Sequence, residues 1–169
     1  TAKKMHKHLF FICPTDALEG LINRAYKEEN YFFSSLANSI DFSEAVSETI
    51  NALIETKCIT EISFVLSTNN ALFLDALSPQ NFNSIKVLHP LYKAVNTQKK
   101  IAYKYWKKEH IQIPIMSYYL NSKIRELQRK IDRWIVDSIK INCKIYHQTT
   151  GKFSTICPNL FYGKTLNLN

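Results

Sequence analysis

The stretch HLFFICPTD, residues 8–16, decides the fold of this chain. Its first six residues form a short, continuous apolar run, which is typical of a central strand that is covered on both faces of a parallel sheet. Pro14 and Thr15 then break the strand. We interpret Asp16 as the cap of the helix that follows, because Glu19 stands three residues later, as in a capping box. The stretch therefore predicts a buried strand, a turn and a helix.

The next fifty residues repeat this alternation. Residues 31–34 predict a second strand, and residues 62–66 predict a third. Between them Asp41 and Glu44 again have capping spacing, and an apolar stripe at helical spacing follows, made of Val46, Ile50, Leu53 and Ile54. Strands that alternate with helices indicate a parallel sheet with right-handed crossovers. The predicted fold is α/β, with three layers and a mainly parallel sheet of four or five strands flanked by helices.

The second half of the chain is predicted to be more helical. Residues 85–88 predict a short extra strand or an extended loop, and a basic helix is predicted over residues 91–108, with Pro114 marking the next interruption. A strand over residues 144–146 then enters a hairpin whose second arm is residues 153–156. These last elements would extend the sheet.

One amphipathic helix stands out beyond Pro114. Apolar residues recur there at spacings of three and four, namely Leu120, Ile124, Leu127, Ile131, Trp134 and Ile135. We expect Lys123, Lys130 and Arg133 to lie on the outer face of this helix, away from the stripe.

The composition favours an ordinary globular chain and excludes several classes of function. With 46% hydrophobic and 21% charged residues, the sequence predicts a single domain over residues 1–169. Three glycines are too few for a P-loop or a dinucleotide fingerprint. No apolar run reaches the roughly 20 residues of a membrane span. The four cysteines form no CxxC pair, so we expect reduced thiols in a cytoplasmic protein.

The charge is unevenly distributed. Residues 1–85 carry a net charge of −4, whereas residues 86–144 carry +10. A basic segment of this kind can mark a surface for nucleic acid or another anion. It can equally be a solvated helical face, or a patch that meets the acidic half of a partner subunit. No recognised nucleic-acid-binding motif accompanies the charge.

The order of elements resembles a β-class carbonic anhydrase over residues 8–75 and 140–157. That family has a Cys-x-Asp-x-Arg motif after its first strand, where this chain has CPTDA at 13–17. Its second strand ends in an Asn-Ala-Gly-Asn-like turn, here SLAN at 35–38. Its third ends in Gly-His-x-x-Cys-Gly, here STNNAL at 67–72, and a later Tyr-Asp-Val-x-Thr-Gly segment resembles YHQTTG at 146–151.

The departures from the family pattern fall on its chemistry. In the family, two cysteines and one histidine hold zinc, and an Asp-Arg pair governs the fourth coordination position. Cys13 retains the first cysteine, but Thr68 stands in place of the histidine and Ala71 in place of the second cysteine. Thr15 and Ala17 replace the aspartate and arginine. We therefore expect no zinc cofactor and no hydration of carbon dioxide by the family mechanism.

Other residues are not expected to rescue the metal. His6 and His8 would point to the same side of a strand, and we interpret them as solvated histidines rather than ligands. Cys13, at the end of a buried strand, is interpreted as an inert core thiol. His147 is interpreted as packed or hydrogen-bonded beside Tyr146.

The resemblance implies a binding or structural protein rather than an enzyme. The former site would survive as a polar pocket that could hold a small neutral or anionic ligand, lined by Cys13, Thr15, Asp16, Ser35, Asn38, Thr68 and Asn69. A homodimer is expected, since the family dimerises. Two alternatives stay open, a metal-dependent lyase with non-standard ligands and a basic-surface binder of nucleic acid or other anions.

Overall fold

The computed structural model of the chain describes residues 5–104 and 110–156. They contain a five-stranded sheet with the strand order β2-β1-β3-β4-β5. The strands are β1 (Lys7–Ile12), β2 (Glu29–Ser34), β3 (Glu61–Ser67), β4 (Lys140–His147) and β5 (Lys152–Ile156). The first four run parallel and β5 is antiparallel to β4. The predicted mainly parallel α/β sheet is confirmed.

Helices lie on both faces of this sheet. They are α1 (Glu19–Ala25), α2 (Glu44–Lys57), α3 (Ala71–Leu77), α4 (His89–Ala102), α5 (Gln112–Lys130) and α6 (Arg133–Ser138). Single 3₁₀ turns cover Pro14–Asp16, Leu36–Asn38 and Lys86–Leu88. None of the helices in the described ranges is long and apolar enough to cross a membrane.

The two faces of the sheet are covered unequally. All seven residues of β3 are buried, as expected of a strand with neighbours on both edges and helices on both faces. The larger core lies on the side of α2, α4 and α5, where Phe11 stacks on Phe64 with ring centroids 4.6 Å apart. The smaller core lies under α1, which contributes Ile22, and under Leu18 just before that helix. This asymmetry leaves part of the second face for polar side chains.

Several predicted helix boundaries are wrong for local reasons. Helix α2 is capped by Ser43, whose hydroxyl accepts a hydrogen bond from the Val46 amide, and not by the exposed Asp41. Pro114 lies inside the first turn of α5 rather than between elements, because a first-turn residue needs no intrahelical amide partner. Helix α4 ends at Ala102, short of the predicted end at Lys108; residues 105–109 lie outside the described ranges.

The predicted helix over residues 120–135 is two helices. Ile131 is extended, with φ −93° and ψ 162°, and the Asp132 amide donates to the side chain of Asn51 instead of continuing the helix. The apolar stripe is nevertheless buried, except for Trp134, which is 55% exposed. Lys123 is buried rather than on the outer face.

Of two predictions about short segments, one is wrong and the other is confirmed. Residues 86–88 form a 3₁₀ turn that leads directly into α4, so neither an extra strand nor an extended loop is present over residues 85–88. The hairpin is confirmed, since β4 and β5 pair in antiparallel register. Gly151 in its turn has φ +66°, a conformation that glycine adopts without strain.

Candidate functional site

The carboxyl ends of three parallel strands meet at one edge of the sheet. Cys13 follows β1, Ser35 follows β2 and Thr68 follows β3. Ligand sites in open parallel sheets characteristically lie in the crevice outside these ends. We call the residues after β1, β2 and β3 the carboxyl-edge cleft.

Cys13 is fully buried in the cleft, and its sulfur is engaged by the protein. The Ala37 amide donates to Cys13 Sγ at 3.1 Å, and the Thr15 hydroxyl lies 3.0 Å from the same atom. Ala37 has φ +48°, within the 3₁₀ turn after β2. The sulfur therefore joins the loops after β1 and β2, which agrees with the interpretation of a core thiol.

Two buried polar atoms beside Cys13 have no hydrogen-bond partner among the described residues. They are Ser35 Oγ and Asn38 Oδ1. The amide nitrogen of Asn38 does have one, since its Nδ2 donates to the Val65 carbonyl at 3.0 Å. Buried polar atoms are nearly always satisfied by protein, water or ligand, so these two atoms are candidates for a bound water or ligand.

Asp16 does not cap the first helix, contrary to the sequence interpretation. Helix α1 has Leu18 at its N-cap and no side-chain cap. The Asp16 carboxylate crosses instead to the end of β3, where it accepts from the Ser67 amide at 2.9 Å and from Asn70 Nδ2 at 2.9 Å. Burial raises the pKa of Asp16, and these two hydrogen bonds only partly offset that effect.

No contact among the described residues joins Thr68 or Asn69 to Cys13. The Thr68 hydroxyl accepts from the Gln148 amide at 3.1 Å, on the side of the β4–β5 turn. Asn69 is exposed, and its amide donates to Ser67 Oγ. The residues of the predicted pocket therefore fall into two groups. One group surrounds Cys13, and the other is the loop after β3, whose Asn70 side chain donates to the Asp16 carboxylate.

The cleft does not fit a zinc ion of the carbonic anhydrase kind. Catalytic zinc typically has about three protein ligands of nitrogen, sulfur or carboxylate type. Cys13 supplies one such atom, whereas Thr68 and Ala71 supply none. Ala71 is an exposed residue that begins α3, where the neighbouring Asn70 caps the helix through the Phe73 amide.

Sequence reasoning missed the groups that hold the cleft together. The Ala37 amide could not be found because every residue carries one. Asn70 had a usable signal, since an asparagine directly before an apolar helical stretch is a preferred N-cap. Its second bond, to Asp16, joins segments 54 positions apart and has no local signature.

A second polar cluster lies at the amino ends of the same strands, and we call it the amino-end cluster. It consists of His6, His8, Glu28 and Glu61, and one ligand-type atom from each of His6, His8 and Glu61 lies within 4.8 Å of the others. His8 is 1% exposed, so its interpretation as a solvated histidine is wrong. It is buried because Phe10 stacks on its ring.

A basic groove lies away from both clusters. Its volume is about 690 Å³, and none of the seven predicted site residues lines it. Four of its lining side chains are cationic (Lys86, Lys123, Arg129 and Lys130), and two are anionic (Asp41 and Glu126). The groove therefore carries an excess of positive charge. His147, also outside the cleft, is hydrogen-bonded to Ser154 across the β4–β5 hairpin.

The structure is similar to solved carbonic anhydrases at low sequence identity. It matches the β-carbonic anhydrase CafA of Aspergillus fumigatus with a TM-score of 0.74 at 13% identity, over 96% of this chain and 80% of that one. It matches one of two tetrameric β-carbonic anhydrases of Sordaria macrospora with a TM-score of 0.72 at 12% identity, over 91% and 82%. This chain has the β-carbonic anhydrase fold.

A more distant match leads to the same fold. The Coccomyxa β-carbonic anhydrase, solved in complex with acetazolamide, has a TM-score of 0.68 at 9% identity, over 92% of this chain and 73% of that one. No protein-family model matches the sequence, and no curated protein matches it. The β-carbonic anhydrase fold by itself does not assign an activity, which depends on the residues of the site.

We predict that Asp16→Ala destabilises the protein by about 1–3 kcal/mol, because it leaves the buried Ser67 amide and Asn70 Nδ2 without their acceptor. Asp16→Asn keeps one acceptor oxygen and should cost less. Urea unfolding measures both free energies. Asp41→Ala is the matched control, since Asp41 is exposed and its loss should change stability by no more than about 0.5 kcal/mol. Equal costs for Asp16→Ala and Asp41→Ala would contradict the bridging role.

Proposed function

We propose that this chain is a non-catalytic binding protein built on the β-carbonic anhydrase fold. One observation carries the proposal. Of the three positions that match the family's zinc ligands, only Cys13 has a ligand atom, and that sulfur contacts the Ala37 amide and the Thr15 hydroxyl. The other two positions hold Thr68 and Ala71.

The loss of ligands matters because the family reaction depends on the ion. Zinc lowers the pKa of a bound water from about 15.7 to near 7, which supplies hydroxide at neutral pH. A cleft that cannot hold zinc lacks this nucleophile. The Asp16 carboxylate accepts hydrogen bonds from Ser67 and Asn70 and does not replace it.

The unpartnered atoms of the cleft support a binding role. Ser35 Oγ offers one donor and free acceptor capacity, and Asn38 Oδ1 offers an acceptor. A small neutral or anionic molecule that both accepts and donates hydrogen bonds would satisfy them. Cys13 and Ala37, in the adjoining loops, are fully buried residues. A few convergent polar groups beside apolar residues are typical of small-molecule sites.

We predict that the purified protein does not accelerate hydration of carbon dioxide and holds no zinc at Cys13. Stopped-flow hydration assays measure the first, with a β-carbonic anhydrase assayed in parallel. Native mass spectrometry of the wild type and of Cys13→Ala measures the zinc content. The same measurement on Ser35→Ala shows whether a small molecule that is bound to the wild type is lost from this variant. The wild type and Cys13→Ala should carry the same metal content.

The variant Thr68→His/Ala71→Cys is the matched control, since it restores the missing ligand types at the two positions that match the family's other zinc ligands. A gain of one zinc ion in that variant alone would show that the scaffold lacks ligands rather than space. Hydration activity in the wild type, together with zinc that is lost in Cys13→Ala, would establish a lyase with non-standard ligands and overturn the proposal.

We further propose that the chain forms a homodimer. The Sordaria enzymes of the same fold are tetrameric, and β2 is an edge strand whose aromatic residues Tyr31, Phe32 and Phe33 are only partly buried. Light scattering after size exclusion should give twice the 19.7 kDa of one chain. A mass of one chain at all concentrations would contradict self-association.

The basic groove supports a second candidate function, the binding of nucleic acid or another polyanion. Lys86 lies in the 3₁₀ turn just before α4, and Arg129 and Lys130 are exposed at the end of α5. Lys123 is buried in the groove wall, where its Nζ donates to the Ile40 carbonyl at 3.3 Å and pairs with Glu126 at 3.1 Å. The exposed cations Lys86, Arg129 and Lys130 are therefore the ones that can contact phosphate.

For this function we predict that mixed-sequence RNA binds at low salt and dissociates steeply as salt rises. Arg129→Ala and Lys130→Ala should each weaken binding for every sequence and reduce the slope of log K against log salt by about 1. Fluorescence anisotropy measures both quantities. Lys93→Ala is the control, since Lys93 is an exposed cation outside the groove. No binding at low salt would remove this candidate.

A further inference from the structure

The amino-end cluster combines two imidazoles with two carboxylates at contact distance. Glu28 Oε2 lies 3.1 Å from His6 Nδ1 and 3.4 Å from His8 Nδ1. Glu61 Oε2 lies 3.3 Å from His6 Nε2. Four ligands at about 2.0–2.1 Å from a tetrahedral zinc ion are separated from one another by about 3.3–3.4 Å. The contacts of Glu28 Oε2 are close to this spacing, whereas Glu61 Oε2 lies nearest the other nitrogen of His6 and would have to shift by a small distance to share one ion with His8 Nδ1.

Hydrogen bonds across three strands fix the proton on the ring of His8. Asn142 Nδ2 donates to Glu61 Oε1 at 2.6 Å, which directs Asn142 Oδ1 to the hydroxyl of Ser63. Ser63 Oγ donates to that oxygen at 2.6 Å. Its only hydrogen is then in use, so His8 Nε2, 2.7 Å from Ser63 Oγ, is the donor of the next bond.

This arrangement leaves an acceptor atom buried against another acceptor. In the neutral ring of His8, Nδ1 carries the lone pair, and it has no hydrogen-bond partner among the described residues. It faces Glu28 Oε2 at 3.4 Å. A lone pair opposite a carboxylate is repulsive unless a cation lies between them.

We propose that His6, His8 and Glu61 bind a divalent transition-metal cation such as Zn²⁺, with Glu28 as a further oxygen ligand. Imidazole and carboxylate together suit zinc and its first-row neighbours better than Mg²⁺ or Ca²⁺. Ser63 is a positioning residue, because it holds Nε2–H and so presents Nδ1. Anchoring of the second ring nitrogen is a regular feature of metal-bound histidine.

Two lysines face the same cluster and compete with the ion. Lys140 Nζ lies 3.6 Å from Glu61 Oε1, but its side chain is 69% exposed and can move into solvent. Lys144 is buried, and its Nζ contacts the Thr155 hydroxyl at 3.0 Å. The negative charges of Glu28 and Glu61 together offset the positive charges of the two lysines. The affinity for the metal ion then depends on the neutral imidazoles.

The site lies at the opposite end of the strands from Cys13, so it is independent of the proposed function. It revises the expectation that the chain holds no metal, and with it the interpretation of His6 and His8 as solvated histidines rather than ligands. An ion there would join His6, before β1, to Glu61 at the start of β3. The ion would stabilise the beginning of β1, since a ligand that binds only the folded state increases the stability of that state.

Calorimetric titration of the EDTA-treated full chain with Zn²⁺ tests the site. We expect one ion per chain and a rise in the thermal unfolding midpoint. His6→Ala and Glu61→Gln should each weaken the affinity by at least about tenfold and abolish most of that rise. His6 is exposed, so its variant should fold. His110→Ala, which removes another exposed histidine, should leave affinity and midpoint unchanged.

Imidazole nitrogen NMR tests the positioning role of Ser63. Zn²⁺ should shift the Nδ1 resonance of His8 and leave its Nε2–H in place. Ser63→Ala should weaken binding by about tenfold to a hundredfold, as loss of a ligand's outer partner does. A shift at Nε2 instead, or full affinity in Ser63→Ala, would overturn the assigned geometry.

The outcomes separate this inference from the proposed function. If the wild type binds no Zn²⁺, or if His6→Ala binds it as tightly as the wild type, the amino-end site is wrong and the binding-protein proposal stands. If Zn²⁺ is lost in Cys13→Ala and retained in His6→Ala, the ion belongs to the carboxyl-edge cleft and both proposals are wrong.

Discussion

The burial of β3 on both faces and along both edges is the constraint on which the rest of the structure depends. Every residue of the strand is buried, with β1 paired on one side and β4 on the other. A strand in this position has its backbone groups satisfied by its neighbours and leaves little room for polar side chains at its middle. The polar side chains of these strands consequently gather near the two strand ends, and both ends hold a polar cluster.

Hydrogen bonds between protein groups hold the loops of the carboxyl-edge cleft together. Cys13 Sγ joins the loops after β1 and β2 through the Ala37 amide, and the Asp16 carboxylate joins the loop after β1 to Ser67 and Asn70 at the end of β3. These bonds connect the same strand ends that ligands to a shared ion would connect. These bonds are therefore compatible with the proposed loss of zinc ligands, because they hold the strand ends together with threonine at position 68 and alanine at position 71.

The sequence was informative wherever a single element determines its own burial. Apolar runs predicted the first three strands, and the spacing of apolar residues predicted the major helices. Interactions between distant segments were not predictable. Asp16 was taken for a cap because its partners lie on another strand, and Lys123 for a surface residue because the Ile40 carbonyl that it meets is distant in sequence. His8 was misjudged because its neighbours Ser63 and Glu61 are adjacent only through strand pairing.

The chain of donors across the second face has a direction. From His8 through Ser63 to Asn142 and Glu61, each group gives its hydrogen to the next, so the carboxylate orients the amide and the amide orients the hydroxyl. Rotating the Asn142 amide by half a turn would reverse the order and move the imidazole hydrogen to the other ring nitrogen. The tautomer of a histidine on β1 is thus governed by a side chain two strands away.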